Sequence, residues 1–119
     1  MRIHKKYKSD DKDYQQINEW LEKYTDARNS IVQKKYKALI VAKMMPIVKR
    51  IAHAIARRSY DPIEDLAQAG SIGVLRAIED YSPRTGVEFR VYVGEKIIGE
   101  MKHYLRDKLK TIRVPRYIQ

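Results

Sequence analysis

Apolar residues recur at three- and four-residue intervals along nearly the whole chain, the spacing of helices that each bury one face. Tyr14, Ile17, Leu21 and Tyr24 mark a first helical stripe, and Trp20 widens it. A second stretch starts near Asn29 or Ser30, either of which has a side chain suited to capping. Its apolar positions are Val32, Tyr36, Leu39 and Ile40, then Ile47, Val48, Ile51 and Ile55. Pro46 lies inside this stretch. Proline has no amide hydrogen and crowds the preceding turn, so a kink or break is expected there.

Asp61-Pro62-Ile63-Glu64 reads as the start of a third helix. The aspartate serves as cap, the proline suits the first helical position, and Glu64 reaches back as in a capping box. Ile63, Leu66, Gly70, Val74, Ala77, Ile78 and Tyr81 then share one face. Gly70 and Gly73 inside a helix cost about 1 kcal/mol each relative to alanine, which points to a close approach by another backbone. Ser82-Pro83-Arg84-Thr85-Gly86 is a turn by composition. A last helix is expected from near Phe89 to about Lys108, burying Val91, Ile98, Met101 and Leu105 with Tyr92 at its margin. Thr111 to Gln119 reads as an extended tail, because Pro115 disfavours helix at Val114. No persistent strand pattern, internal repeat or low-complexity segment is present. The expected fold is all-α: one compact bundle of about four to five helices with an extended basic C-terminal tail.

Charge adds a partner to this picture. The chain of 119 residues has a formal net charge of +10, unevenly distributed. No acid occurs between Asp26 and Asp61, an interval that carries Arg28, Lys34, Lys35, Lys37, Lys43, Lys49, Arg50, Arg57 and Arg58. A second basic segment runs from Lys96 to Arg116. One such run is ordinary for a solvated helix surface, whereas two in a small domain point to a polyanion, above all nucleic acid. A peripheral membrane role is disfavoured, because the charges are not set against a broad apolar face. No apolar run reaches the length of a membrane span, and the basic start Met1-Arg2-Ile3-His4-Lys5-Lys6 is not followed by an apolar core of signal-peptide length. With no cysteine to form a disulfide or thiolate metal site, the expectation is a cytoplasmic chain without a cofactor.

Catalytic chemistry has no foothold in the sequence. His4, His53 and His103 lie in unrelated contexts, and neither a phosphate-binding glycine loop nor a metal-ligand spacing occurs, so neither an enzyme nor a metal site is expected. Leu66-Ala67-Gln68-Ala69-Gly70-Ser71-Ile72 superficially resembles the turn of a helix-turn-helix reader. The segment that would enter the groove, Ser71 to Tyr81, holds one basic residue, Arg76, and ends in Glu79-Asp80, which would repel phosphate.

Three ordered blocks carry a stronger resemblance: Asp61-Pro62-Ile63-Glu64-Asp65-Leu66-Ala67-Gln68-Ala69-Gly70-Ser71-Ile72-Gly73, then Ile97-Ile98-Gly99-Glu100-Met101-Lys102-His103-Tyr104-Leu105-Arg106-Asp107-Lys108, then Ile112-Arg113-Val114-Pro115-Arg116. Each block alone is a weak signal; the ordered set resembles conserved region 2 of bacterial RNA polymerase sigma factors, of the alternative stress, sporulation and flagellar type. The resemblance covers about half the chain and extends more weakly upstream. It implies a non-enzymatic factor that binds core RNA polymerase and recognises and helps melt the minus-ten promoter element.

Carried over by position, Asp65 and Gln68 are the polar contacts to a coiled coil of the polymerase's largest subunit, with Glu64, Ser71 and Leu75 beside them. Asp65 also has a purely local use at a helix N-terminus. Tyr81, Phe89 and Tyr92 match aromatic positions of the strand-opening region, where base stacking is needed, although packing in the core would explain Phe89 and Tyr92 equally well. Lys96, Gly99, His103, Arg106 and Lys110 fall on one helical face with Lys102 adjacent; Gly99 and Lys102 occupy positions that read the upstream edge of the minus-ten element. Arg113 and Arg116 resemble the family's phosphate-contacting segment.

Two departures bear on this. Glu95-Lys96 stands where housekeeping members carry tandem tryptophan, and Met44 stands where the family commonly has asparagine. The resulting division is a single domain, with a helical extension over 1–28, polymerase-binding helices over 29–81 and a promoter-binding loop, helix and tail over 82–119. The chain stops just after Arg-Val-Pro-Arg, so the later family region that reads the minus-thirty-five element is expected to be missing, through excision or natural truncation. Whether an anti-sigma factor is a further partner is left open by the sequence. The alternative reading is a sigma-like helical adaptor or decoy that binds polymerase or an anti-sigma factor without reading DNA.

Overall fold

The computed structural model describes the backbone over residues 9–59 and 61–113, and the side chains over 11–58 and 61–108. Its elements are α1 (Ser9–Asp26), α2 (Ser30–Ser59), α3 (Ile63–Asp80), a single 3-10 turn (Pro83–Thr85) and α4 (Phe89–Arg113). No strand occurs among the described residues. The all-α bundle expected from the periodicity is the fold observed.

The central element is α3, which packs against both α2 and α4, while α1 lies along α2. The core is a continuous set of apolar side chains: Ile17 and Leu21 from α1; Ile40, Met44, Val48 and Ala52 from α2; Leu66, Val74, Ala77 and Ile78 from α3; Phe89, Val93, Ile97 and Met101 from α4. The first stripe is thus buried as its spacing predicts, with Tyr14, Trp20 and Tyr24 packed at its edges. In α2 the buried line uses Met44 and Ala52, whereas Val32 is 38% exposed. Asn29 provides the cap, its side-chain oxygen accepting from the Ile31 amide at 2.7 Å.

Four expectations are corrected. Of the kink or break expected at Pro46, the break does not occur: α2 runs continuously through the proline. Pro46 and Ala42 both face solvent, where the Ala42 carbonyl freed by the missing amide hydrogen is open to water. Asp61 does not cap α3: the cap position is Pro62, without a side-chain hydrogen bond, and the Asp61 carboxylate is paired with Lys108 instead. Asp61 sits one residue ahead of that cap position, which takes its side chain out of register with the first-turn amides.

Val91 and Ile98 are not core; they are 50% and 38% exposed, and the buried line of α4 is Phe89, Val93, Ile97 and Met101. The face is dictated by where α3 touches α4, at Lys96 and Ile97, and that contact turns Ile97 inward and Ile98 outward. Finally, α4 continues to Arg113 rather than yielding to an extended tail at Thr111. Pro115 restricts the residue before it and leaves Thr111 to Arg113 free to stay helical. Residues 114–119, with Arg116, lie outside the described residues.

The glycines of α3 explain how closely α3 and α4 approach. A Cβ on Gly73 would lie 2.6 Å from the Lys96 carbonyl oxygen and 2.8 Å from the Ile97 Cα, so α3 and α4 meet backbone to backbone there. At Gly70 the neighbours are side chains, Met101 at 2.6 Å and Val48 at 2.8 Å. The helix also runs without interruption through both, so the helix-turn-helix resemblance has no structural counterpart. The turn after α3 forms as its composition predicts. Ser82 accepts from the Arg84 amide, and Gly86 closes the turn at φ 77°, a left-handed conformation that suits glycine.

Candidate functional site

Burying Leu66, Gly70, Gly73, Val74 and Ala77 against α2 and α4 leaves the opposite side of α3 facing outward. Glu64, Asp65 and Gln68 are exposed on that side, with Ser71 and Leu75 half-buried beside them. The structure therefore brings together all five residues that the resemblance assigned to polymerase docking. Ile72 stands among them at 46% exposure, an apolar side chain that the residue pattern did not single out. Ser71 is less available than expected, because its hydroxyl donates to the Ala67 carbonyl at 3.0 Å and also lies 3.2 Å from the Met45 sulfur. Asp65 accepts a hydrogen bond from the Tyr104 hydroxyl of α4 at 3.2 Å. A shallow cleft of about 290 Å³ adjoins this pair, with Gln68 and Ile72 on one wall and His103 and Asp107 on the other.

The aromatic group lies at the other end of α3. Tyr81 packs edge-on against Phe89, with ring centroids 5.2 Å apart, and at 5.4 Å from Tyr92. Its hydroxyl donates to the Val87 carbonyl at 2.6 Å, tying the turn to the helix end. Phe89 is 3% exposed, so its ring is core and has no free face for a base. Tyr92 is half-buried, and the Lys96 ammonium lies 5.4 Å from its ring centroid, a cation–π contact that covers one face. Arg90 projects back onto α1, pairing with Asp11 at 2.5 Å and lying 4.5 Å from the centre of the Tyr14 ring. This contact borders a cleft of about 630 Å³ between α1 and the turn. Arg90 escaped the sequence reading because its partners lie on the first helix.

The basic face of α4 is real but interspersed with acids. Gly99, Lys102, His103 and Arg106 are exposed, and Lys96 is half-buried. Nothing lies within 4 Å of a Cβ built on Gly99, so that surface is open to an approaching backbone. His103 pairs with Asp107 at 3.4 Å, and Glu100 with Arg76 of α3 at 3.1 Å. Lys110 and Arg113 belong to α4, and their side chains lie outside the described residues, as does Arg116 altogether.

Helix positions also decide what holds α1 and α3 around α2. Lys37 of α2 pairs with Glu79 of α3 at 2.9 Å and lies 5.8 Å from the Tyr24 ring centroid of α1. The hydrogen bond to Glu79 raises the Lys37 pKa above its ordinary value of 10.5. Lys108 is raised likewise, first by its hydrogen bond to Asp61. Tyr104 is raised above 10.0, first by burial and then by its hydrogen bond to Asp65. Among the described residues no cluster of histidine, aspartate and glutamate is placed to hold a metal ion, and no helix is long and apolar enough to cross a membrane.

The all-α bundle thus presents a polar outward face on α3 and a face of mixed cations and acids on α4. The family model for sigma-70 region 2 matches residues 40–111, and the chain belongs to that family. It is 42% identical over 79 residues to the RNA polymerase sigma-F factor of Kitasatospora aureofaciens, covering 66% of this chain and 26% of that protein. It is 48% identical over 56 residues to the RNA polymerase sigma-B factor of Bacillus subtilis (strain 168), covering 47% and 21%. Against the sigma-F factor of Bacillus licheniformis it is 32% identical over 85 residues, covering 71% and 32%. The chain thus spans between about a fifth and a third of the curated relatives it matches. No solved structure matches it significantly. The alternative-sigma resemblance is upheld, and the family is one of non-enzymatic initiation factors.

Proposed function

We propose that this chain binds core RNA polymerase through the outward face of α3 and recognises and helps melt the minus-ten promoter element through the turn and α4. In this reading residues 29–81 carry polymerase docking and residues 82–119 carry promoter contact, in the cytoplasm where the polymerase works. The observation that carries it is the pairing of two different outward faces on one rigid helix pair. Asp65, Gln68 and Ile72 offer charge, hydrogen bonding and apolar area to a partner helix, a mixture suited to protein recognition. Gly99, Lys102 and Arg106 offer open backbone and cations to a nucleic acid.

The roles inside the aromatic group divide by burial. Phe89 acts as the floor on which Tyr81 is braced, and Tyr92 is the ring that meets an unstacked base once Lys96 swings away. Lys96 then becomes available to phosphate. The contact to the largest-subunit coiled coil falls to Asp65 and Gln68, flanked by Glu64 and Leu75.

One observation favours a second reading, in which the chain docks on polymerase or an anti-sigma factor without using DNA. The aromatic faces are largely occupied, and Glu95, Glu100 and Asp107 dilute the cations of α4. The test is promoter binding by the chain with core polymerase across a salt series. Sequence-preferring, salt-sensitive binding supports the promoter reading; polymerase binding with no change in promoter affinity supports the adaptor.

A further inference from the structure

We infer that Tyr104 is a positioning residue for polymerase docking: its hydroxyl holds the Asp65 carboxylate in the orientation that the partner helix meets. The inference rests on the proposed docking role of Asp65. Asp65 is exposed on the first turn of α3, where a carboxylate samples several rotamers in water. Tyr104 comes from the facing helix and donates to Asp65 Oδ2 at 3.2 Å. An ionised carboxylate accepts several hydrogen bonds, so Oδ1 stays open to a donor from the partner.

Tyr104 is itself held. Its ring is half-buried against the core, and one turn further along α4 Lys108 pairs with Asp61, two residues ahead of the start of α3. The two contacts form a ladder between α4 and the N-terminal end of α3 with the segment before it: four residues forward from Asp61 to Asp65 match four residues back from Lys108 to Tyr104. The backbone contact of Gly73 with Lys96 and Ile97 continues the same register two turns on, which fixes the height of Tyr104 against Asp65. A side chain ordered before association spares the partner the entropy of ordering it, so a pre-held Asp65 binds more tightly than a free one.

The test is a double-mutant cycle on the whole chain, labelled with a fluorophore and titrated with core RNA polymerase. Tyr104→Phe keeps the ring and removes the donor, and is expected to weaken binding roughly three- to tenfold. Asp65→Ala is expected to weaken it more, and the double variant is expected to match Asp65→Ala alone. That non-additivity separates positioning from a general packing role, which would leave the Tyr104→Phe loss intact in the Asp65→Ala background. Parental affinity of Tyr104→Phe, or full additivity, overturns the inference while leaving the docking face in place. Parental affinity of Asp65→Ala overturns the docking reading and the inference with it.

Discussion

Gly73 lies directly beneath the backbone of Ile97, so close that a Cβ at Gly73 would stand 2.8 Å from the Ile97 Cα. A backbone cannot swing aside as a side chain does, so Gly73→Ala must push α3 and α4 apart along their length. Overpacking of this kind costs about 1–3 kcal/mol, against roughly 1 kcal/mol regained from alanine's helix propensity. Gly70→Ala meets the flexible end of Met101 and one Val48 methyl, and is expected to cost less. Thermal unfolding followed by circular dichroism should rank the parent above Gly70→Ala and that above Gly73→Ala. Equal midpoints for the two variants would refute the backbone contact.

The raised groups give the stability a definite pH dependence. Lys37, Lys108 and Tyr104 all hold their protons more tightly folded than unfolded. Above pH 10.0 to 10.5 the unfolded chain therefore binds fewer protons than the native one, and stability falls as pH rises. Their contribution is full below that range and is lost as pH passes through the raised folded values. Urea midpoints measured from neutral pH to about pH 11 should decline on the alkaline side. The combined Lys37→Met, Tyr104→Phe and Lys108→Met variant should show a shallower decline. An unchanged alkaline slope would show that these contacts do not survive in solution.

On the proposed docking face, Gln68→Ala and Ile72→Ala should each reduce affinity for core polymerase while leaving the fold intact. Interface anchors commonly cost more than about 1 kcal/mol on truncation, whereas outward-facing helix positions tolerate alanine. Ile72 is the sharper probe, because an apolar side chain at 46% exposure gains most of its remaining burial only when a partner covers it. Titration with core polymerase, alongside circular dichroism, reads both quantities. Parental affinity in both variants would place the docking face elsewhere.

The helices and their order were legible because burial repeats locally: Ile17 and Leu21, or Leu66, Gly70, Val74 and Ala77, follow from spacing alone. What escaped is what depends on distant partners. Asp61 looks like a cap until Lys108, 47 positions away, claims its carboxylate. Val91 and Ile98 are as apolar as Val93 and Ile97, and the contacts with α3, at Gly70 and Gly73 above all, decide which line faces inward. The outward face proposed for docking was legible through Asp65 and Gln68, since a family motif preserves spacing on one helix. Tyr104 was not, because its partner lies 39 positions earlier on another helix. Phe89 and Tyr92 could be told apart only by exposure, a property of the assembled bundle.

That difference in exposure separates the effects expected of the aromatic and basic groups. Phe89→Ala empties a core site and should destabilise the fold by about 3 kcal/mol or more, lowering every activity together. Tyr92→Ala should leave the fold largely intact and impair promoter opening more than promoter engagement, because stacking matters only once a base has left the duplex; each lost stack is worth on the order of 1–3 kcal/mol. Lys102→Ala should relax preference at the upstream edge of the minus-ten element if it touches a base, and lower affinity uniformly if it touches phosphate. Arg106→Ala should reduce the salt dependence of binding with little change in preference. Permanganate footprinting with core polymerase, on a paired and a pre-melted promoter, distinguishes these effects. Tyr92→Ala should show a defect on the paired promoter that the pre-melted one relieves. Opening at the parental level by a well-folded Tyr92→Ala would show that this ring serves packing and that the strand-opening role lies with other residues.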